Sequence, residues 1–128
     1  MSKENNFKNW LTKVLRDRGA MVQPIETSVG SGVPDLAVLW NEKTYWIEVK
    51  SLSGAVWIRS SQQIWHREAW VKGRTTVRII NENPKTGKIK VYLADWRNNK
   101  NSKGFLTLDT RLCYETRADF VARSNFIH

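Results

Sequence analysis

An α/β sandwich with a mixed central sheet is the fold class that the sequence predicts, on three observations. Apolar residues at helical spacing open the chain, two sets of β-branched runs joined by polar turns follow, and a capped helical stretch stands between the sets. The expected order is helix, three strands, helix, two strands and a terminal helix.

Phe7, Trp10, Leu11, Val14 and Leu15 recur at intervals of three and four, with Lys8, Lys13, Arg16 and Arg18 off that stripe and Gly19 as the stop. This is a helix with one buried face. Residues 20–27 read as a strand, and Pro24, which has no amide hydrogen to give a ladder, assigns it to a sheet edge or an irregular start. Leu36 to Trp40 is an unbroken apolar run, as in a strand covered on both faces. A polar turn over Asn41 to Thr44 then reverses the chain into a second run ending at Lys50. Residues 51–58, with Gly54, form a loop. Ser60 and Gln63 have capping-box spacing, so a helix is expected from about Ser61 to Lys72 with Gly73 as its stop; Ile64, Trp65, Ala69 and Val71 would cover the sheet.

Residues 75–81 and Ile89 to Ala94 alternate as strands around the turn signal Asn83-Pro84-Lys85-Thr86-Gly87-Lys88. Arg97 to Lys103 is a basic, asparagine-rich loop, Leu106 to Leu108 a short extended piece, and Thr116 to Arg123 a closing helix around Phe120 and Val121. With 128 residues, 41% of them hydrophobic and 26% charged, one domain with one core is expected over 1–128.

The charge narrows the partners. A net charge of +9, from 21 basic and 12 acidic residues, favours a polyanion, with nucleic acid ahead of an anionic membrane. Cys113 is the only cysteine, which excludes an internal disulfide and a cysteine-built metal site. The first residues are polar and no apolar run is long enough for a membrane span, so neither signal peptide nor anchor is expected and a cytoplasmic setting is.

The chemistry concentrates between Gly30 and Lys50. A glycine-rich approach and Pro34 present Asp35 just after a rigid bend, at the head of the first strand of a hairpin. Side chains two apart share a strand face, so Glu48 and Lys50 point the same way while Tyr45, Ile47 and Val49 face a core. Across the turn Asp35 should come near Glu48. Two converging carboxylates need a neutralising cation, and hard oxygen donors suit Mg²⁺, with waters and substrate phosphates completing its shell. A lysine on the same face could orient a water or stabilise charge developing on a phosphate. A bare Glu-x-Lys is usually an ordinary charged pair; the Gly-Val-Pro-Asp approach changes that reading.

Pro34-Asp35 followed by Glu48-Val49-Lys50 resembles the PD-(D/E)xK nuclease signature. Gly32-Val33-Pro34-Asp35, Trp46-Ile47-Glu48-Val49-Lys50, Gln62, Trp65 and Gly73 together resemble its virus-type replication-repair (VRR-NUC) branch, over about residues 4–75, with 76–128 holding a C-terminal hairpin and short helix. The resemblance implies a restriction-endonuclease-like αβββαβ core and Mg²⁺- or Mn²⁺-dependent hydrolysis of DNA, four-way junctions or flaps above all. It implies Asp35 and Glu48 as metal ligands, the Val49 carbonyl as a further one, Lys50 as the catalytic lysine and Gln62 as support from the next helix. Two acids compete to be the third carboxylate. Glu26 precedes the glycine-proline-aspartate turn, as an acid does in some relatives, and is preferred; Glu4 lies on the inward face at the start of the first helix. Symmetric cutting of paired strands further suggests a homodimer.

Other residues invite roles with plain alternatives. Arg59, Arg67, Lys72 and Arg74 are candidate phosphate contacts. His66 could be a general base, although a histidine on a basic helix more often sits at the surface or in a groove. Trp57, in the loop, is the tryptophan placed to stack on an unpaired base, whereas tryptophans in small domains mostly fill cores.

Overall fold

In a computed structural model the chain is described over residues 2–26, 31–94 and 108–124. Its elements are α1 (Lys3–Asp17), β1 (Met21–Pro24), β2 (Leu36–Trp40), β3 (Lys43–Lys50), α2 (Ser60–Gly73), β4 (Val77–Glu82), β5 (Ile89–Ala94), β6 (Asp109–Tyr114) and α3 (Arg117–Arg123). The six strands form one sheet in the order β1-β2-β3-β4-β5-β6. Neighbours are antiparallel except β3 and β4, which are parallel because α2 carries the chain back between them. The predicted mixed α/β sheet flanked by helices is therefore the fold.

The two faces of β3 divide the core. Tyr45, Ile47 and Val49 pack with Phe7, Leu11 and Leu15 of α1 and with Phe120 of α3. Trp46 lies on the opposite face, where Val77, Ile79 and Ala94 meet Trp65 and Trp70 of α2. Glu48 and Lys50 share that second face, toward α2.

The ends of the elements follow from local chemistry. Ser2 caps α1 by accepting from the Asn5 amide, and Gly19 closes it at φ 93° with its amide on the Arg16 carbonyl. Pro24 does mark the sheet edge: β1 pairs with β2 alone, Pro24 opposite Leu36. The hairpin turn is shorter than expected. Only Asn41 and Glu42 are unpaired, both at positive φ (51° and 66°), because Lys43 and Thr44 already pair with Trp40 and Leu39.

Three further expectations are corrected. Helix α2 is capped by Arg59, one residue before Ser60, and it ends on Arg74 in the left-handed conformation (φ 49°) instead of on Gly73; the Arg74 guanidinium lies 5.0 Å from the Trp70 ring centre. Ile64 and Val71 point to solvent, at 54% and 59% exposure, while Gln62 and His66 of the same helix are buried. A sixth strand absent from the expected order runs over Asp109–Tyr114, paired with β5 and with Leu112 and Tyr114 packed toward α1 and α3, while Leu106 and residue 107 of the short piece expected at Leu106 to Leu108 lie outside the described residues. The expected basic loop from Arg97 to Lys103 lies outside the described residues.

Arg117 ties the far end together. Its guanidinium donates to both carboxylate oxygens of Glu82 (2.6 and 2.9 Å), reaches Asn6 at 3.2 Å, and lies 4.9 Å from the Trp10 ring centre. Arg18 binds the backbone carbonyls of Val121 and Ser124, joining the end of α1 to α3. No helix among the described residues is long and apolar enough to cross a membrane.

Candidate active site

Four side chains predicted from the sequence converge where β2 begins, β3 ends and α2 starts. The β2–β3 register, which pairs Leu36 with Ile47, sets Asp35 opposite Glu48 one step further on. Asp35 then takes over from the backbone ladder: its Oδ2 accepts from the Val49 amide at 2.8 Å. Glu48 and Lys50 are buried, with 2% and 8% of their surface exposed.

Gln62 connects them. Its Nε2 donates to Glu48 Oε2, and its Oε1 accepts from Lys50 Nζ at 3.1 Å and from the Arg59 amide at 3.0 Å. One amide thus binds the acid, holds the amine and satisfies a free donor at the start of α2. The expected cap pair was Ser60 with Gln63; the residue that closes the helix start is Gln62, because its side chain is the one turned back toward β3.

The glycine approach has a steric cause. Gly32 has φ 77°, and a Cβ there would lie 2.1 Å from the Ser61 carbonyl oxygen and 2.9 Å from the Gln62 amide nitrogen. The loop leading to Asp35 is therefore pressed against the first turn of α2, and only glycine allows that approach. Gly32→Ala is expected to destabilise the chain by about 3 kcal/mol and to push Gln62 away from Glu48. Urea unfolding checks the first effect; a midpoint equal to that of the wild type would contradict the close contact.

Two carboxyls this close in a buried site drive one of them toward its protonated form. Glu48 is pushed up to about 8, first by burial and then by the charge of Asp35, with their mutual hydrogen bond and Glu4 adding to the rise and Lys50 opposing it. Glu48 Oε1 is buried without a hydrogen-bond partner. Glu4 is also raised, by partial burial first and then by Asp35, against Lys50, Lys8 and Arg59. Glu26, the preferred third acid on sequence grounds, and Glu4 are both exposed; of the two it is Glu4 whose charge adds to the rise of Glu48, after that of Asp35.

These donors fit a hard divalent cation. An orphaned buried carboxylate oxygen, a second carboxylate opposite it and backbone at the end of β3 are oxygen donors of the type Mg²⁺ and Mn²⁺ take. No group of three or more His, Cys, Asp or Glu side chains stands at ligating range among the described residues. That matches a site of one or two carboxylates completed by water and phosphate better than an all-protein cage.

Sequence reasoning misplaced His66 and passed over Asn81. His66 is 1% exposed, both ring nitrogens lack partners, and burial followed by the Lys50 charge lowers it to about 4, so it is a neutral ring in the wall behind the lysine. Its position four residues after Gln62 was the available signal. Asn81, buried beside Lys50 in the parallel register, bonds both the amide (2.8 Å) and the carbonyl (3.1 Å) of Leu52 and so pins the start of the loop after β3. A polar residue inside a β-branched run was its only trace. Of the candidate phosphate contacts, Arg59 and Arg67 are exposed, Lys72 pairs with Glu68 at 3.0 Å, and Arg74 stacks on Trp70.

No protein-family model matches the chain, and no curated protein matches it. Among solved structures it is similar to Hjc of Archaeoglobus fulgidus, a Holliday junction resolvase from an archaeal hyperthermophile, with a TM-score of 0.58 over 82% of this chain and 87% of that one. The two sequences are 11% identical, so the likeness is one of fold alone.

Proposed function

We propose that the chain is a single-domain, Mg²⁺- or Mn²⁺-dependent endonuclease of the PD-(D/E)xK superfamily, in its virus-type replication-repair branch, that hydrolyses phosphodiester bonds in branched DNA. The observation that carries this is the convergence of the half-buried Asp35 with the buried Glu48, Lys50 and Gln62, Gln62 being bonded to both Glu48 and Lys50. A structural charged pair on a sheet face would not be buried beside a second carboxylate with an oxygen left over.

Asp35 and Glu48, with the carbonyl of Val49, are the groups that would hold the cation. When bound, it supplies the positive charge that neutralises the phosphate and lowers the pKa of an attacking water. Gln62 fixes the Glu48 carboxylate and the Lys50 amine relative to each other, so neither must reorganise when substrate arrives. Lys50 then stands beside the scissile phosphate, where its ammonium orients the water and stabilises the charge developing on the phosphoryl oxygens. Between the two further acids we assign an electrostatic part to Glu4, whose charge is felt by Glu48, in place of Glu26, outside the ligand pair of Asp35 and Glu48.

A groove of about 410 Å³ between α1 and β1 is lined by Lys8, by Lys13 paired with Asp17 at 2.9 Å and by Arg16, which donates to the Val22 carbonyl, and Lys8 is the residue there proposed to meet a DNA backbone. A second copy of the chain would supply the second cut that a four-way junction requires.

The test is a panel of labelled linear, flap, splayed and four-way DNAs with Mg²⁺, Mn²⁺ or EDTA. Wild type should cut branched substrates only with metal, Asp35→Ala should bind without cutting, Glu4→Gln should lose about 10²-fold and Glu26→Gln less than about threefold. Binding with no cleavage by wild type would make the chain a silent DNA-binding protein; fixed positions on linear duplex would make it a restriction-type enzyme. Equal losses for both glutamate variants would remove the assignment to Glu4.

A further inference from the structure

We propose that Trp57 is a stacking platform for an unpaired base next to the cleaved phosphate, which makes the site select DNA with a splayed or single-stranded segment; this rests on the nuclease reading above. The ring is 56% exposed, a large cost for a tryptophan unless something covers it. Its neighbours in the chain do the opposite: Val56 and Ile58 pack into the core on the α2 side of the sheet. Trp57 is therefore turned outward between two inward anchors.

The loop that carries it is held at both ends. Asn81 fixes Leu52 at its start, and the Gln62 side chain fixes Arg59 at its close. The platform is thus positioned before any ligand arrives, which lowers the ordering cost of binding.

Its location decides what it would touch. Lys50 Nζ lies 5.6 Å from the centre of the Trp57 ring, so the aromatic face begins at the edge of the proposed phosphate position. A base whose own phosphate reaches Lys50 is the group within range of that ring. Bases inside a duplex already have both faces stacked, whereas an unpaired base offers one, so the contact discriminates by strand structure without reading sequence.

Two ratios test this with wild type, Trp57→Phe and Trp57→Ala. The first is affinity in EDTA for a short fluorescein-labelled single-stranded DNA against the duplex of the same sequence, by anisotropy. The second is the cleavage rate of a splayed fork against linear duplex in Mn²⁺. Loss of one stacked base is expected to lower the single-strand to duplex affinity ratio about 5- to 150-fold in Trp57→Ala, with Trp57→Phe within about threefold of wild type. The fork to duplex cleavage ratio should fall in parallel. Unchanged ratios, or equal losses on both substrates, would overturn the proposal, the latter making Trp57 a support for Lys50 only. Wild type that binds but cuts nothing would sink the nuclease reading, while the affinity ratio still decides the stacking.

Discussion

Glu48→Gln is expected to lower the proposed cleavage by about 10³-fold or more and at the same time to make the metal-free chain more stable at pH 8 than the wild type. The first effect follows from removing a negative donor from the proposed metal pair. The second follows from the state of that carboxyl without metal. Burial and Asp35 raise Glu48 from 4.5 to about 8, so between those values the folded chain holds a proton that the unfolded chain has released. Stability contributed by such a group is complete below the unfolded value and is lost as pH rises through the folded one. The loss is on the order of 5 kcal/mol in full, and glutamine, which carries no ionisable proton, does not suffer it.

His66 gives the opposite slope and makes the test specific. Lowered from 6.5 to about 4, it is neutral in the fold where the unfolded chain would bind a proton, so its contribution is lost as pH falls through that window. The two slopes oppose each other from about 4.5 to 6.5, and wild type should lose stability chiefly between pH 6.5 and 8. In Glu48→Gln the decline disappears and the rise from pH 4 to 6.5 remains. Urea unfolding in EDTA across that range reads both limbs. Parallel curves for the two proteins would show that residue 48 carries no raised carboxyl. Mn²⁺ should stabilise wild type at pH 8 and leave the variant unmoved, because only an occupied site gains from ligand mass action.

What the sequence disclosed depended on how local the cause was. Strand periodicity placed Glu48 and Lys50 on one face, and hairpin arithmetic set Asp35 opposite Glu48, since both are settled within 16 residues joined by one turn. Ile89 to Ala94 was bounded as found because a strong turn precedes it. Helix α2 misled because its apolar letters do not make a stripe. Trp65, His66, Ala69 and Trp70 are at least partly buried while Ile64 and Val71 are not, and a neutral histidine looks polar in a pattern of letters. Asp109–Tyr114 carries Asp, Thr, Arg and Cys among its six residues, so its strand character comes from the β5 edge it pairs with. The third acid was illegible for a different reason. Glu26 is nine residues from Asp35 and precedes the same turn, whereas Glu4 is 31 away, so spacing along the chain gives no sign that the charge of Glu4 reaches Glu48.

Replacing Gln62 separates the structural part of the site from its chemistry. In Gln62→Leu the shape is nearly kept, but Lys50 loses its acceptor, Glu48 Oε2 loses its donor and the Arg59 amide loses its cap, all in one stroke. We expect a loss of about 3 kcal/mol in stability and about 10²-fold in cleavage, the sum of a missing cap and buried charged groups left unsatisfied. Gln62→Glu is the informative partner. It restores an acceptor for Lys50 and for the Arg59 amide, yet sets a further carboxylate against Glu48, so the metal-free protein should be at least as unstable as Gln62→Leu at pH 8. Mg²⁺ or Mn²⁺ then has an additional negative charge to neutralise, and it should recover more stability in Gln62→Glu than in Gln62→Leu, where only the Asp35 and Glu48 pair remains. Melting temperatures of both variants with and without the ion give the answer. If the ion rescues neither, the carboxylates do not share a cation and Gln62 is a packing residue alone; if it rescues Gln62→Glu the more, charge compensation at Glu48 is what the buried amide normally supports.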